Sequence, residues 1–308
     1  MEAELIQWLK QRASKHERLS IGLGDDAAAI TWPTPGRESV VTTDLLTEGV
    51  DFLMGEVDPR RIGRKALAVN LSDIAAMGAE PLAAFVSLAL PSRGALELAQ
   101  QLYEGMFPLA EQFNVSIAGG DTNTWDGRLV ISVTLIGEVD ARQVWRRDRA
   151  MAGDWILVTG DFGGSRLAKQ FDFTPRLAVE KRLRSSGQVR AAIDVSDGLS
   201  LDLSRLAAAS GCGARIDLDA IPISADARRM SQLDPDGPDP LTRALSDGED
   251  FELILAVPPD EAARLLETQS LGTQPLDAPL THIGELIARP GLFTTDGREL
   301  TPRGFLHG

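Results

Sequence analysis

The sequence predicts an α/β protein built as two domains, and three observations carry that reading. The chain has 308 residues, long enough for two cores of ordinary size. Strand signals alternate with helical ones in both halves, and there is no short repeat. The alternating strand V-I-S-V-T-L-I-G-E-V closes at Val139, a basic stretch from Arg142 to Ala150 follows as a connector, and G-D-W-I-L-V-T-G opens a second α/β pattern at Gly153. The expected domains are therefore 1–140 and 141–308.

The elements follow in order. An amphipathic helix is expected up to about Arg18, with Leu5, Ile6, Trp8 and Leu9 on its apolar side. The small residues of I-G-L-G-D-D-A-A-A-I suggest backbone held close to another group, and S-V-V-T-T-D reads as a strand ending at Asp44. From 66 to 77 almost every residue is apolar and helix-forming, so this helix should be buried on most of its circumference. Residues 82–90 are a continuous apolar run, 95–113 a long helix carrying Tyr103, and 115–118 a short strand that runs directly into G-G-D-T. In the second half, helices are expected at about 165–170, 175–186, 200–209 and 260–271. Strands are expected at 191–193, 213–218 and 251–257, a turn-rich loop at 234–240 and a short β region at the C-terminus.

Composition excludes several functions. A net charge of −14 leaves no basic face for nucleic acid, although an acidic protein can bind phosphate where cations mediate. No run reaches the length of a membrane span, and the opening M-E-A-E-L-I-Q-W-L-K is acidic where a secretory signal is basic, which points to the cytoplasm. Cys212 is the only cysteine, so neither a disulfide framework nor a Cys-based zinc site is available. His16, His282 and His307 are too widely separated to read as metal ligands.

Acids cluster instead at small-residue turns: Asp25 and Asp26, Asp44, Asp121, Asp194 and Asp197, Glu249 and Asp250. Asp73 joins them from the buried helix, on the same face as Asn70. Alone, Asp73 is equally well a cap, a structural ion-pair partner or a metal ligand. Oxygen ligands without His or Cys select hard cations, and Mg²⁺ completes its shell with water and phosphate. So many carboxylates imply several ions around a polyphosphate. The usual phosphate cradles are missing: no Lys follows a Gly, and G-C-G-A-R-I lacks the third glycine of a dinucleotide fingerprint. Phosphate charge must then be met by metal and by arginine, with Arg147 of the connector the first candidate.

The segments G-L-G-D-D-A-A, T-T-D-L-L-T-E-G-V-D-F, K-A-L-A-V-N-L-S-D-I-A-A-M-G-A-E-P, A-G-G-D-T, R-R-D-R-A-M-A-G-D-W-I-L-V-T-G, A-I-D-V-S-D-G-L and L-S-D-G-E-D-F-E-L occur in this order between about Ile21 and Val257. Together they resemble the thiamine-monophosphate kinase family, which shares a superfamily with aminoimidazole ribonucleotide synthetase, selenophosphate synthetase and a hydrogenase maturation factor. The resemblance implies the two-domain aminoimidazole ribonucleotide synthetase-like fold, with N-terminal domains pairing into a β-barrel in a homodimer. It also implies ATP as co-substrate, thiamine monophosphate as acceptor, and magnesium. By motif, Asp26, Thr42, Thr43, Asp44, Asp73, Asp121, Asp194 and Asp197 fall at magnesium positions. Tyr103, Gly120, Asp121, Arg147 and Ser196 fall at nucleotide positions, and Asp51 and Glu249 at positions that contact thiamine phosphate. The family usually carries an aromatic near the C-terminus against the thiamine ring, where this chain has Pro302, with Phe305 close by.

The residue inventory agrees with phosphoryl transfer to a phosphate. A phosphate monoester oxygen is already ionised near neutral pH, so no strong base is required, and no residue is assigned that role. Two alternatives remain open at this point. One is another ATP-dependent enzyme of the superfamily, aminoimidazole ribonucleotide synthetase-like; the other is a non-catalytic, metal-stabilised binding protein.

Overall fold

The structure is a computed structural model and describes residues 8–9, 11–12, 17–21, 29–30, 35–186, 189–271 and 277–305. Leu5, Ile6, His16, Asp25, Asp26 and His307 lie outside the described residues. Trp8, Leu9, Gln11 and Arg12 are helical, as expected for the first segment. The chain divides into two compact units, Met1–Ile74 with Ala79–Arg142, and Ala75–Gly78 with Gln143–Gly308.

In the first unit a two-stranded pair, β1 (Leu19–Ile21) and β2 (Ala29–Ile30), accompanies a four-stranded sheet. The sheet contains β3 (Arg37–Thr47), β4 (Glu80–Pro91), β5 (Ser116–Trp125) and β6 (Val130–Asp140), in the order β3-β6-β4-β5. Only β4 and β5 run parallel, joined through the helix α2 (Ala95–Gln112) as a parallel crossover requires. The buried helix read from the sequence is α1 (Pro59–Ala76), which starts seven residues before the expected 66. It crosses α2 where both backbones are bare. A Cβ on Gly63 would stand 1.9 Å from the Leu102 carbonyl oxygen, and one on Gly105 1.7 Å from that of Arg60. Only glycine permits so close an approach.

Two strands depart from expectation, and both departures matter for the site. The strand expected to end at Asp44 continues to Thr47, pairing with β6 without interruption from Arg37↔Asp140 to Thr47↔Val130. G-G-D-T lies inside β5 rather than after it. Asp44 and Asp121 are therefore mid-strand residues and not strand-end ligands. The reason is that β3 and β5 are edge strands, and each follows the ladder offered by its long apolar neighbour whatever its own polar composition.

The second unit is a seven-stranded sheet in the order β13-β12-β9-β11-β7-β10-β8, in which only β12 and β9 are parallel. Its strands are β7 (Trp155–Thr159), β8 (Ala191–Asp194), β9 (Gly213–Ile216), β10 (Leu253–Val257), β11 (Leu280–Ile287), β12 (Leu292–Thr294) and β13 (Glu299–Leu300). The helices are α3 (Lys169–Asp172), α4 (Leu177–Ser186), α5 (Leu199–Ala209), α6 (Ala225–Leu233), α7 (Pro240–Ser246) and α8 (Pro259–Ser270). Separate apolar clusters form, one around Leu203, Leu206 and Ile254, the other around Trp145, Leu183 and Leu265. The helices α6 and α7 flank what the sequence shows as a turn-rich loop. Both start at side-chain caps: Ser224 Oγ accepts from Ala227 N–H at 2.9 Å, and Asp239 accepts from Leu241 and Thr242 N–H at 2.9 and 3.0 Å. Among the described residues no helix is long and apolar enough to cross a membrane.

Candidate active site

Strand alternation decides which predicted residues of β3 meet. Thr42 and Asp44 face the helices, and the Thr42 hydroxyl donates to the Asp73 carboxylate on α1. Asp51 follows in the turn after β3. Its carboxylate accepts from Thr47 N–H at 2.7 Å, and its carbonyl oxygen accepts from the fully buried Lys65 ammonium at 3.2 Å. Burial, then the charge of Asp73, then that of Asp51, push the Asp44 carboxyl up to about 7. Asp73 is half-buried rather than sunk in the apolar interior expected for it, whereas its helix neighbours Asn70 and Ser72 are buried.

Among the described residues, no three acidic, His or Cys side chains converge closely enough to enclose a metal ion alone. Mg²⁺ does not require such an enclosure, because it takes one or two carboxylates and completes its shell from water and phosphate. The residues present fit such an ion. Ionising the buried Asp44 beside Asp73 and Asp51 is unfavourable without a neighbouring cation, and Asn70 Oδ1 is buried without a hydrogen-bond partner among the described residues.

The other predicted residues of this unit are placed differently. Thr43 points to the opposite sheet face, where its hydroxyl oxygen accepts from Thr134 at 3.0 Å. The register aligns Leu45, Ser132, Ser87 and Asp121 in one row, next to the row of Asp44, Val133, Val86 and Gly120. Asp121 thus shares the face of Thr43; it is exposed and accepts from Thr122 N–H at 2.9 Å. The expected ligand set is split across the sheet by its period of two. Gly120 has φ +150°, and a Cβ there would stand 1.8 Å from the Val86 carbonyl oxygen. Tyr103 is buried in an aromatic cluster with Trp8 and Phe107, ring centroids 6.4 and 6.2 Å away, and burial raises its phenol above the usual range.

In the second unit three loops are knitted together. Asp194 ends β8 and is buried, and Ser196 and Asp197 follow it. The Asp197 carboxylate pairs with Arg205, which also reaches Asp202 at 2.7 Å, so an arginine already compensates this predicted ligand. Glu249 N–H donates to Ser196 O at 2.7 Å, binding the S-D-G-E-D loop to the D-V-S-D-G loop. The third is Gly160–Ser165: Asp250 accepts from Gly163 N–H at 3.0 Å with each oxygen, and Asp247 from Gly164 N–H at 2.9 Å. Onto this assembly the C-terminal segment docks through its main chain, with Phe305 N–H donating to Asp197 O at 2.9 Å and Ser200 Oγ to Arg303 O at 2.8 Å. Arg147 is exposed, and its side chain forms no ion pair among the described residues; its carbonyl oxygen accepts from Ser210 Oγ at 2.6 Å.

Sequence reasoning weighed Asp250 only as one acid among many and missed its partners. Glu252 is buried and bonded to Arg176 Nε at 2.6 Å, Lys169 Nζ at 2.9 Å and Thr159 Oγ1 at 2.7 Å. Burial alone raises its pKa, but the Arg176 hydrogen bond and the charges of Lys169 and Arg176 outweigh it and hold Glu252 below the usual range. Asp250 goes the other way: burial outweighs Lys169 and the Gly163 N–H, leaving it at about 7. The one signal available in sequence was the repeated acid in G-E-D-F-E, placed just before an apolar strand.

The chain is similar to known proteins over nearly its whole length. Residues 24–139 match the family model for the AIR synthase related protein N-terminal domain, and residues 152–297 the model for its C-terminal domain. A thiamine-monophosphate kinase of Rhodopirellula baltica is 43% identical over 318 residues, covering 100% of this chain and 98% of that protein. The one from Bacillus subtilis is 35% identical, covering 92% and 90%. Among solved structures, a thiamine-monophosphate kinase from Stenotrophomonas maltophilia superposes with a TM-score of 0.80 at 36% identity, covering 96% of each chain. AaThiL complexed with AMPPCP and TMP gives 0.77 at 28% identity, covering 98% of this chain and 94% of that one. The Escherichia coli hydrogenase maturation protein HypE, at 23% identity and a TM-score of 0.79, covers 98% of this chain and 97% of its own and shares the fold alone. Two matched domain models and relatives of this identity over the full length place the chain in the thiamine-monophosphate kinase family, with its AIR synthase-like fold.

Proposed function

We propose that the chain transfers the γ-phosphoryl group of ATP to thiamine monophosphate, giving thiamine diphosphate and ADP, with Mg²⁺ as the required cation. The observation that carries this reading is the burial of Asp44 beside Asp73 and Asp51, which leaves its carboxyl at about 7 and suits a phosphate-bound cation. When bound, the cation screens the donor and acceptor phosphates from each other. By resemblance several such ions are held, with Asp26, Thr42, Asp194 and Asp197 at magnesium positions besides Asp44 and Asp73; Thr43 and Asp121 fall at such positions by motif but lie on the sheet face opposite Asp44.

The chain's own groups do the rest. The Thr42 hydroxyl orients the Asp73 carboxylate, and Thr47 N–H and Lys65 hold the turn that presents Asp51. Arg147, whose side chain makes no ion pair among the described residues, offers its guanidinium to the nucleotide phosphates, and by resemblance Tyr103, Gly120, Asp121 and Ser196 are also nucleotide residues. A carboxylate repels phosphate, so Asp51 serves the acceptor through the cation, while Glu249 has the positive thiazolium as its partner. The ring of Phe305, 51% exposed on the Asp197 loop, supplies the aromatic contact that Pro302 cannot make. No residue has to remove a proton, because the acceptor oxygen is already ionised. A cytoplasmic location, where ATP is supplied, is part of the same proposal.

A homodimer is part of this proposal. Val41 and Leu45, 59% and 62% exposed, lie with Thr43 on a sheet face that no helix among the described residues of their unit covers, and a second copy would bury them. Light scattering at micromolar concentration should give twice the chain mass; a monomer would remove this part.

The activity is tested by incubating γ-labelled ATP with thiamine monophosphate, thiamine and the aminoimidazole ribonucleotide synthetase substrate in parallel. Label should enter thiamine diphosphate only. Thiamine is expected to fail because it lacks the phosphate that the cation has to hold. Label retained on the protein would overturn direct transfer, and turnover with the purine precursor alone would overturn the function.

A further inference from the structure

Three non-glycine residues among those described have positive φ, and two of them, Glu249 at 54° and Phe251 at 51°, flank Asp250. A left-handed backbone at a side-chain-bearing residue costs free energy, and it persists only where the surroundings over-determine it. Here the surroundings are well defined. Phe251 N–H donates to Val195 O at 2.8 Å, and its ring stacks on Phe173 with centroids 4.1 Å apart. Between the two strained residues, the Asp250 carboxylate accepts from Gly163 N–H at 3.0 Å with each oxygen, and Lys169 Nζ lies 3.9 Å away. Ser165 Oγ donates to Gly248 O at 2.7 Å, a second tie between the same two loops. Gly163 itself has φ +84°, and a Cβ there would stand 2.7 Å from the Ala244 nitrogen, so its loop has no room to shift.

Asp250 is only 1% exposed and cannot touch substrate. Its neighbour Glu249 is half-buried and reaches solvent. We infer that Asp250 is a positioning residue for acceptor binding: by clamping the Gly163 main chain it holds Glu249 in its left-handed conformation and so aims the Glu249 carboxylate at the thiazolium. This rests on the assignment of Glu249 to the acceptor made above. Of the two strained residues, Glu249 is the one with a binding role, and the clamp is what keeps its strain in place.

Steady-state kinetics separate the two claims. Asp250→Ala should raise KM for thiamine monophosphate about tenfold, the scale of one net hydrogen bond, with KM for ATP within about twofold of the parent. Asp250→Asn should recover most of the loss, because its amide oxygen still accepts from Gly163 N–H. A merely structural role would move both KM values together or neither, and either pattern overturns the inference. Glu249→Gln should also raise the acceptor KM; if it does and Asp250→Ala does not, the positioning role alone fails. If Glu249→Gln leaves the acceptor KM unchanged, the assignment of Glu249 fails and this inference with it. Should Asp250→Ala be insoluble, Ser165→Ala removes the milder tie, and an acceptor KM raised about threefold supports the clamp while an unchanged one overturns it.

Discussion

Replacing Asp44 with Asn should lower turnover by about a hundredfold to a thousandfold, the range seen when one preorganised electrostatic group is removed from a transition state. The fold should survive, because Asn is isosteric and no longer sets a charge beside Asp73 and Asp51. Asp73→Asn should behave similarly, with Thr42 losing its charged acceptor. A variant that unfolds, or one that turns over normally, would remove Asp44 from the site.

The raised pKa of Asp44 gives this prediction a pH signature. An unfolded Asp loses its proton near 3.8, while the folded one keeps it to about 7, so between these values the folded state binds more protons. Stability contributed by this group is thus present at low pH and is lost as pH rises through that window. A cation binds the ionised carboxylate, so below about 7 it must displace a proton. Mg²⁺ with ATP should therefore raise the melting temperature more at pH 8 than at pH 6, and Asp44→Asn should flatten the difference. Equal stabilisation of the parent at both pH values would contradict the role of Asp44.

Much of this frame was legible in the sequence, and the reasons for the exceptions are physical. The helix at α1 could be read because its apolar run is nearly unbroken, and β6 because it alternates. The ends of β3 and β5 could not. Thr-Thr-Asp and Gly-Gly-Asp-Thr look like turns locally, and only the ladders with β6 and β4 extend them as strands. For the same reason the motif grouped Thr42 with Thr43 and Asp44 with Asp121, whereas the pleat sends them to opposite faces. The caps at Ser224 and Asp239 sit in polar, proline-bearing sequence that hides two short helices. The Glu252 network was invisible because Thr159, Lys169 and Arg176 meet it only after β10 has paired with β7.

That network carries the largest stability effect expected in the chain. Glu252 is fully buried between Arg176 and Lys169, and both cations owe much of their compensation to it. Removing one member of a buried ion pair leaves the others desolvated and unmatched, which costs about 3–5 kcal/mol. Glu252→Gln keeps the shape and the Thr159 contact but withdraws the charge. Urea denaturation at pH 7 should therefore show a loss of about that size, while Arg215→Ala, which breaks a half-exposed pair with Glu285, should cost no more than about 1 kcal/mol. The pH dependence has a definite sign. Because the folded state holds Glu252 below its ordinary value, its contribution is present above about 4.5 and lost as pH falls through the folded pKa. Parent and Glu252→Gln should accordingly converge in stability as the solution is acidified. A gap that stays constant down to pH 3, or a neutral-pH loss no larger than that of Arg215→Ala, would show that Glu252 is spectator to the fold and that Arg176 and Lys169 are compensated from elsewhere.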